Sequence, residues 1–199
     1  MADDDRRLVL EEIGHRLVWQ IDKTPDRSGL RDTPRRFAKM WLEFLAAGRD
    51  DNCSTAFALD LDSAAHERDS GMVVVSGVRV FSFCEHHILP FWADITAGYI
   101  PTDKILGLSK FARIARKHAA GLQVQERLTA DIAAELHGVT DSEDVAVYAS
   151  GVHLCTVMRG VKAQPVMHTS IMHGLFREAQ VKTEFLSIAR QAAEQSRTI

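Results

Sequence analysis

Apolar positions in the first fifty residues recur at helical spacing. Leu8, Leu10, Ile13, Leu17 and Ile21 form one series, which predicts a helix over residues 4–21, broken ahead of Pro25. A second series follows in "RDTPRRFAKMWLEFLAAG". Thr33 suits the N-cap and Pro34 the first helical position, Phe37, Met40, Trp41, Phe44 and Leu45 share one stripe, and Gly48 ends the run. Residues 49 to about 70 are polar and mixed and read as a linker, with Cys53 an idle thiol in it. After Gly71 the period changes. "MVVVSGVRVF" is rich in β-branched residues and reads as a strand, and "ADITAGYI" alternates as its partner. Ser109 can cap a helix in "KFARIARKHAA". Val124, Leu128, Ile132 and Leu136 lie on one face of the next helix, with Gly138 as its stop. "VAVYASGVHLCTVM" returns to strand and "KTEFLSIARQAAEQ" closes as a helix. Strand pairs interrupted by helices predict an antiparallel sheet with helices on one face, an α+β domain over residues 71–199, preceded by an N-terminal helical segment and linker over 1–70.

Composition narrows the function classes. The chain has 199 residues, 46% hydrophobic and 26% charged, enough for one or two domains with a true core. A net charge of −3 offers no broad basic face to nucleic acid or anionic lipid, though basic residues can still cluster around a small anion. No apolar run is long enough to span a bilayer, and "MADDDRRLVLEE" lacks the apolar core of a secretory signal. Three cysteines, far apart and odd in number, argue against a disulfide framework and for a reducing compartment, so a cytoplasmic location is expected.

The densest chemistry is "CEHH" at Cys84, Glu85, His86 and His87. Cys84 and His87 have the C-x-x-H spacing that lets one turn present two ligands to one ion, and "HLC" at His153–Cys155 can supply a third. Two local ligands and one distant cysteine leave one position of a zinc ion open for water, as catalytic zinc requires. His86 and His153 would then stay unligated beside the metal, where proton-transfer groups belong. The plainer alternative is a set of unrelated polar residues near strand ends; C-x-x-H alone is a weak signal.

"FSFCEHHILPF", "GYIP", "ILGLSKFARIARKHAAGLQVQERLT" and "HLCTVMRGV" together resemble the GTP cyclohydrolase I family, and "GLRDTPRRFAKM" resembles its N-terminal helical segment. The resemblance implies Zn2+ held by Cys84, His87 and Cys155, with His86 and His153 as catalytic histidines. It implies that Gln125 and Glu126 hold the guanine edge, whose adjacent N–H donors suit a carboxylate. It implies that Lys110, Arg113 and Arg159, joined by Arg36 and Lys39, bind the triphosphate, with Ser109 at the ribose or phosphate end. By residue type alone, Arg113 with Arg116 and Lys117, or Arg36 with Lys39, reads equally as a solvated helix face. The implied reaction is hydrolysis of GTP at C8, release of formate and rearrangement to 7,8-dihydroneopterin triphosphate, the first step of folate and pterin biosynthesis. The implied fold is the tunnelling fold, a four-stranded antiparallel sheet with two helices on one face, assembled as a homodecameric ring with active sites between subunits.

Some positions depart from the family's usual pattern. Ala93, Asp94 and Thr96 stand where a Gly, a basic residue and a His are usual. Ser150 replaces an acidic residue, Gly121 an arginine, and "KAQPVMHTSIMHG" a Ser/Thr-rich segment. A specialised paralogue opening GTP or a related purine, and a non-catalytic zinc-stabilised nucleotide-binding ring protein, are the competing readings. A nitrile reductase of the same fold would need a nucleophilic cysteine, for which Cys53 in the linker is the only thiol left.

Overall fold

The computed structural model describes residues 3–49, 52–58 and 71–196. Two compact units divide the chain, Met1–Arg49 and Asp50–Ile199. In the first unit, α1 (Asp3–Ile21) and α2 (Thr33–Ala47) pack on each other, joined by a loop with one short 3-10 turn at Ser28–Leu30. Gly14 and Val18, one helical turn apart, are the buried positions of α1, and Gly14 lies against Phe37 and Pro34. The predicted apolar stripe is therefore not the packed face: Leu8, Ile13, Leu17 and Ile21 are exposed. Asp32 rather than Thr33 precedes α2, because its carbonyl already accepts from the Arg36 amide at 3.0 Å. Arg49 closes the pair with a two-pronged contact to Asp3, 2.8 and 2.9 Å.

The second unit is α+β. Four long strands, β2 (Val73–Cys84), β3 (Pro90–Tyr99), β6 (Val145–His153) and β7 (Met167–Met172), pair antiparallel in that order. A two-residue strand, β5 (Leu122–Gln123), extends the sheet by pairing parallel with Phe83 and Cys84. Of the predicted linker, residues 52–58 belong to this unit and residues 59–70 lie outside the described residues. Ala56–Ala58 forms β1, which pairs with β4 (Lys104–Leu106), and Cys53 is buried in the core instead of idling in a connector.

Side-chain alternation sorts the sheet into two faces. Val145, Val147 and Ala149 of β6, with Phe91, Ala93, Ile95, Ala97 and Tyr99 of β3, pack under α3 (Leu108–Ala119) and α4 (Gln125–Thr140) through Phe111, Ile114, Leu128, Ile132 and Leu136. Ala146 and Tyr148 point the other way and meet Phe185, Ala189 and Ala193 of α6 (Ala179–Ser196). The two expected helices do share one face; the C-terminal helix covers part of the opposite one. Between Val75 and Val78 the register slips, Ser76 and Gly77 on β2 facing the single Thr96 on β3, with Gly77 at φ +73° in the bulge. That extra residue lets Val75 and Val78 both face α3 and α4 although their parity differs.

Three local assignments are corrected. Ser109 lies inside the first turn of α3, whose N-cap is Gly107. α4 runs through Gly138 to Thr140 and stops at Asp141, whose left-handed φ of +56° an aspartate tolerates and whose carboxylate pairs with Lys104. The predicted strand through Cys155 ends at His153, where α5 (Leu154–Val157) turns the chain.

Candidate metal centre and active site

The loop after β2 is a tight turn. The Cys84 carbonyl accepts from the amides of His87 (3.3 Å) and Ile88 (2.8 Å), and the Cys84 amide donates to Leu89 (2.9 Å). Ile88 sits at φ +53°, a conformation β-branched residues rarely adopt, and this reverses the chain into β3. The turn brings the Cys84 and His87 side chains to one side. β6 ends opposite the start of β3, with His153 in register with Phe91, and α5 carries Cys155 back toward Cys84. The Cys84, His87 and Cys155 donor atoms lie within 4.8 Å of one another, a group able to hold a metal ion. Cys84 is buried, Cys155 half-buried and His87 exposed, so the group opens to solvent on the histidine side. Burial pushes the Cys155 thiol above its ordinary pKa, and the hydrogen bond with Cys84 and the charge of its sulfur push it further; Arg159 pulls it back. Two sulfurs that disfavour each other's ionisation are what a bound cation relieves.

His153 is the best-fixed group of the site. Its ring stacks on Phe91 at 4.4 Å and 9°, and its Nε2 stands 3.0 Å from Gln125 Oε1. Gln125 is fully buried, and its Nε2 donates to Met167 O (3.0 Å), Ala149 O (3.3 Å) and Thr169 Oγ1 (3.3 Å). With oxygen acceptors around the amide nitrogen, the amide oxygen must face His153, so His153 carries a proton on Nε2. Gly151 makes this possible, since a Cβ there would stand 2.2 Å from Gln125 Oε1. Burial lowers the His153 pKa, and the Glu126 carboxylate counters part of that. His86 is exposed, its Nδ1 3.7 Å from Cys84 Sγ.

Cys84, His86, Gln125, Glu126, His153 and Cys155 are among the residues that line one cleft of about 220 Å³; His87 lies outside its lining. Glu126, exposed in the first turn of α4, faces it as a ligand carboxylate would. Gln125 differs from expectation. Neighbours in a helix point about 100° apart, so with Glu126 outward Gln125 turns inward, where its amide oxygen meets His153 while the side chain still lines the cleft. The expected cations are not in the cleft lining. Ser109 is exposed at the start of α3, Arg113 is half-buried and Arg159 exposed. Lys110 is buried, its ammonium donating to Asn52 Oδ1 (2.7 Å) and O (3.0 Å). Arg36 and Lys39, in the first unit, are exposed and lie 3.6 Å from Asp32 and 3.8 Å from Glu43. Sequence reasoning missed Phe91 and Thr169; only the strand register, which pairs Phe91 with His153 and Thr169 with Ala149, reveals them.

The sequence pattern of GTP cyclohydrolase I matches residues 10–190. The chain belongs to the GTP cyclohydrolase I family. A GTP cyclohydrolase 1 of Alkalilimnicola ehrlichii is 41% identical over 184 residues, covering 91% of this chain and 97% of the relative. One of Methylococcus capsulatus is 41% identical over 183 residues, covering 90% and 96%. One of Drosophila melanogaster is 43% identical over 175 residues, covering 86% of this chain and 52% of the longer relative. The departures from the usual GTP cyclohydrolase I pattern divide between the two sides of the sheet: Pro165 and Met167 of the 162–174 segment line the cleft, and four others do not. Asp94 and Thr96 of β3, Ser150 of β6 and His168 of β7 all point to the α6 face, Asp94, Ser150 and His168 in one cross-strand row. Asp94 is paired there with Arg79, directly opposite on β2.

Proposed function

We propose that this chain is a zinc-dependent GTP cyclohydrolase that opens the GTP imidazole ring at C8, releases formate and forms 7,8-dihydroneopterin triphosphate. The observation that carries this is a Cys-His-Cys donor group whose two cysteines line one cleft with two further histidines and an exposed carboxylate. The donor set fits the metal: two thiolates and an imidazole are ligands zinc accepts, and three protein ligands are the complement of a catalytic zinc. Cys84, His87 and Cys155 would hold it, and a zinc ion there supplies the Lewis acidity that makes water nucleophilic at neutral pH.

The chain's own residues supply the rest. Glu126 accepts from the N1–H and amino group of guanine and orients the purine. His153, with Nε2–H committed to Gln125, keeps one imidazole nitrogen for proton exchange. His153 or His86 delivers the proton that lets the C8–N9 bond break to a formamide. The second hydrolysis and the Amadori-type rearrangement need further proton transfers, which two histidines can share. Lys110, Arg113 and Arg159, with Arg36 and Lys39, bind the triphosphate away from the reacting ring and hold C8 at the donor group through remote binding. Lys110 does so by leaving Asn52. The cleft of one chain is small beside ordinary ligand pockets of about 300–1,000 Å³. Its lining includes none of these cations. Both facts favour a site completed by a neighbouring subunit, in a ring-shaped homodecamer. No helix among the described residues is long and apolar enough to cross a membrane. With free cysteines, that agrees with a cytoplasmic enzyme.

The test is incubation of purified protein with GTP, reading product mass, absorbance and formate. Dihydroneopterin triphosphate with one formate per turnover is expected; a ring-opened formamide as end product, or unchanged GTP, overturns the proposal.

A further inference from the structure

Two motif residues have no part in the chemistry above: Glu85, between the donor residues of "CEHH", and Arg127, next to Glu126 in "QERLT". They meet. Arg127 Nη2 donates to Glu85 Oε2 at 2.6 Å and to the Leu122 carbonyl at 3.2 Å, while its Nε donates to Gln123 Oε1 at 2.8 Å. The Glu85 amide donates to the Gln123 carbonyl at 3.1 Å. Gln123 is itself anchored, buried with its amide nitrogen on the His118 carbonyl (3.1 Å) and Asp131 Oδ2 (3.2 Å). The guanidinium thus ties the turn that carries Cys84 and His87 to the strand and first helical turn that carry Gln125 and Glu126.

An exposed ion pair alone contributes about 0–1 kcal/mol, and both side chains here are over a third exposed, at 45% and 36%. Stability is therefore not what this contact provides. Its consequence is geometric. The turn is short and strained at Ile88, one of its candidate ligands is exposed, and Glu85 is the side chain that ties it to the start of α4. We propose that Arg127 is a positioning residue: by gripping Glu85 it holds the Cys84–His87 turn in register with the N-terminus of α4, and so keeps the metal donors at a fixed spacing from the Glu126 carboxylate. The part concerning Glu126 rests on the function proposed above; the part concerning the metal donors rests only on the donor group.

The test uses the zinc-loaded protein and three variants, Arg127→Met, Arg127→Lys and Glu85→Gln, with the double variant Glu85→Gln/Arg127→Met. Zinc release to an excess of chelator, thermal midpoint, and kcat and KM for GTP are measured for each. Partners that orient metal ligands typically change metal affinity or activity about 10–100-fold. Arg127→Met should speed zinc release about tenfold and lower kcat, with the thermal midpoint unchanged. Glu85→Gln should reproduce most of both effects, Arg127→Lys should recover part of them, and the double variant should be no worse than Arg127→Met. Unchanged zinc release in Arg127→Met, or strictly additive effects in the double variant, overturns the proposal. The zinc-release arm decides even if GTP is not the substrate, so failure of the functional reading and failure of the clamp give different results.

Discussion

The two faces of the central sheet share the same strands and answer to different constraints. Toward α3 and α4, residues alternate with a nearly unbroken apolar core, and at its edge stand His153, Phe91 and Gln125, locked by stacking and hydrogen bonds. Toward α6, apolar packing covers only one end. The remainder is polar: Arg79, Asp94, Thr96, Tyr148, Ser150 and His168, with Tyr148 Oη 2.7 Å from His168 Nδ1. Four departures from the family pattern, Asp94, Thr96, Ser150 and His168, lie on this second face. Strand geometry explains how that is possible, because a residue on one face can change without moving the residues one place away that point to the other. The first face is held by chemistry and the second by compatibility among neighbours.

The largest expected effect tests that contrast directly. His153→Ala should lower turnover by about 10²–10⁴-fold, the usual contribution of an acid–base group, while zinc content stays near one per chain. Cys155→Ser should lose the zinc, and Cys53→Ser, whose thiol lies in the core away from the donor group, should keep it. His168→Ala, next to the cleft-lining Met167 on β7 but on the opposite face of the sheet, should leave turnover within about twofold of the parent, the range of a surface change. Equal losses in His153→Ala and His168→Ala would erase the distinction between the faces.

Next in size is Gln125→Met, which keeps the volume and removes the amide. If Gln125 acts through His153, kcat should fall about 10–100-fold with KM for GTP little changed. Folding stability should also drop by about 1–3 kcal/mol, because buried acceptors lose their donor. A raised KM with kcat intact would return Gln125 to the guanine contact expected from sequence.

That reassignment shows what one sequence can carry. The Cys84–His87–Cys155 group was readable because C-x-x-H is a local signal and "HLC" offers a second pair of donor types; that the strand ends at His153 was not. Helix existence was readable for the same reason, from the spacing of Val124, Leu128, Ile132 and Leu136. What depended on register was not. Which of Gln125 and Glu126 is buried against His153 and which is exposed follows from where α4 starts, directly after β5 pairs with Phe83 and Cys84. The strand role of Ala56–Ala58 was hidden because its partner, Lys104–Leu106, lies far along the chain. On α1 the apolar spacing announced the helix but not its packed position, because a small residue, Gly14, is what lets Phe37 approach. Asp94 read as a departure because its compensation, Arg79, sits fifteen residues away on another strand.

On the α6 face, Arg79→Ala should affect stability and not chemistry. The guanidinium makes two bonds to Asp94, 2.9 and 3.0 Å, and a third to the Ser196 carbonyl at 2.8 Å. Asp94 is nearly buried and Arg79 partly exposed, so solvent screens the pair but cannot replace it at the aspartate end. A loss of about 1–3 kcal/mol is expected from leaving that acceptor without its donor, read as a lower denaturant midpoint with kcat unchanged. A drop in kcat as large as that of Gln125→Met would mean that the faces are coupled.

The smallest net effect is expected from exchanging the pair, Arg79→Asp with Asp94→Arg. Positions 79 and 94 are directly opposite on antiparallel strands, so a charge pair can form in either order. The exchange also places a basic residue at 94, as is usual in the family. Each single change sets like charges across from each other and should destabilise more than Arg79→Ala does. The double variant should recover to within about 1 kcal/mol of the parent, the usual scale of a cross-strand pair, the remaining deficit reflecting the lost bond from Arg79 to the Ser196 carbonyl. Stability of both singles and the double, measured as a cycle, gives a coupling energy that is large and favourable if the two residues act as a unit. Additive losses would mean that Asp94 is held by something other than Arg79, and the departure at position 94 would then need an explanation from outside the sheet.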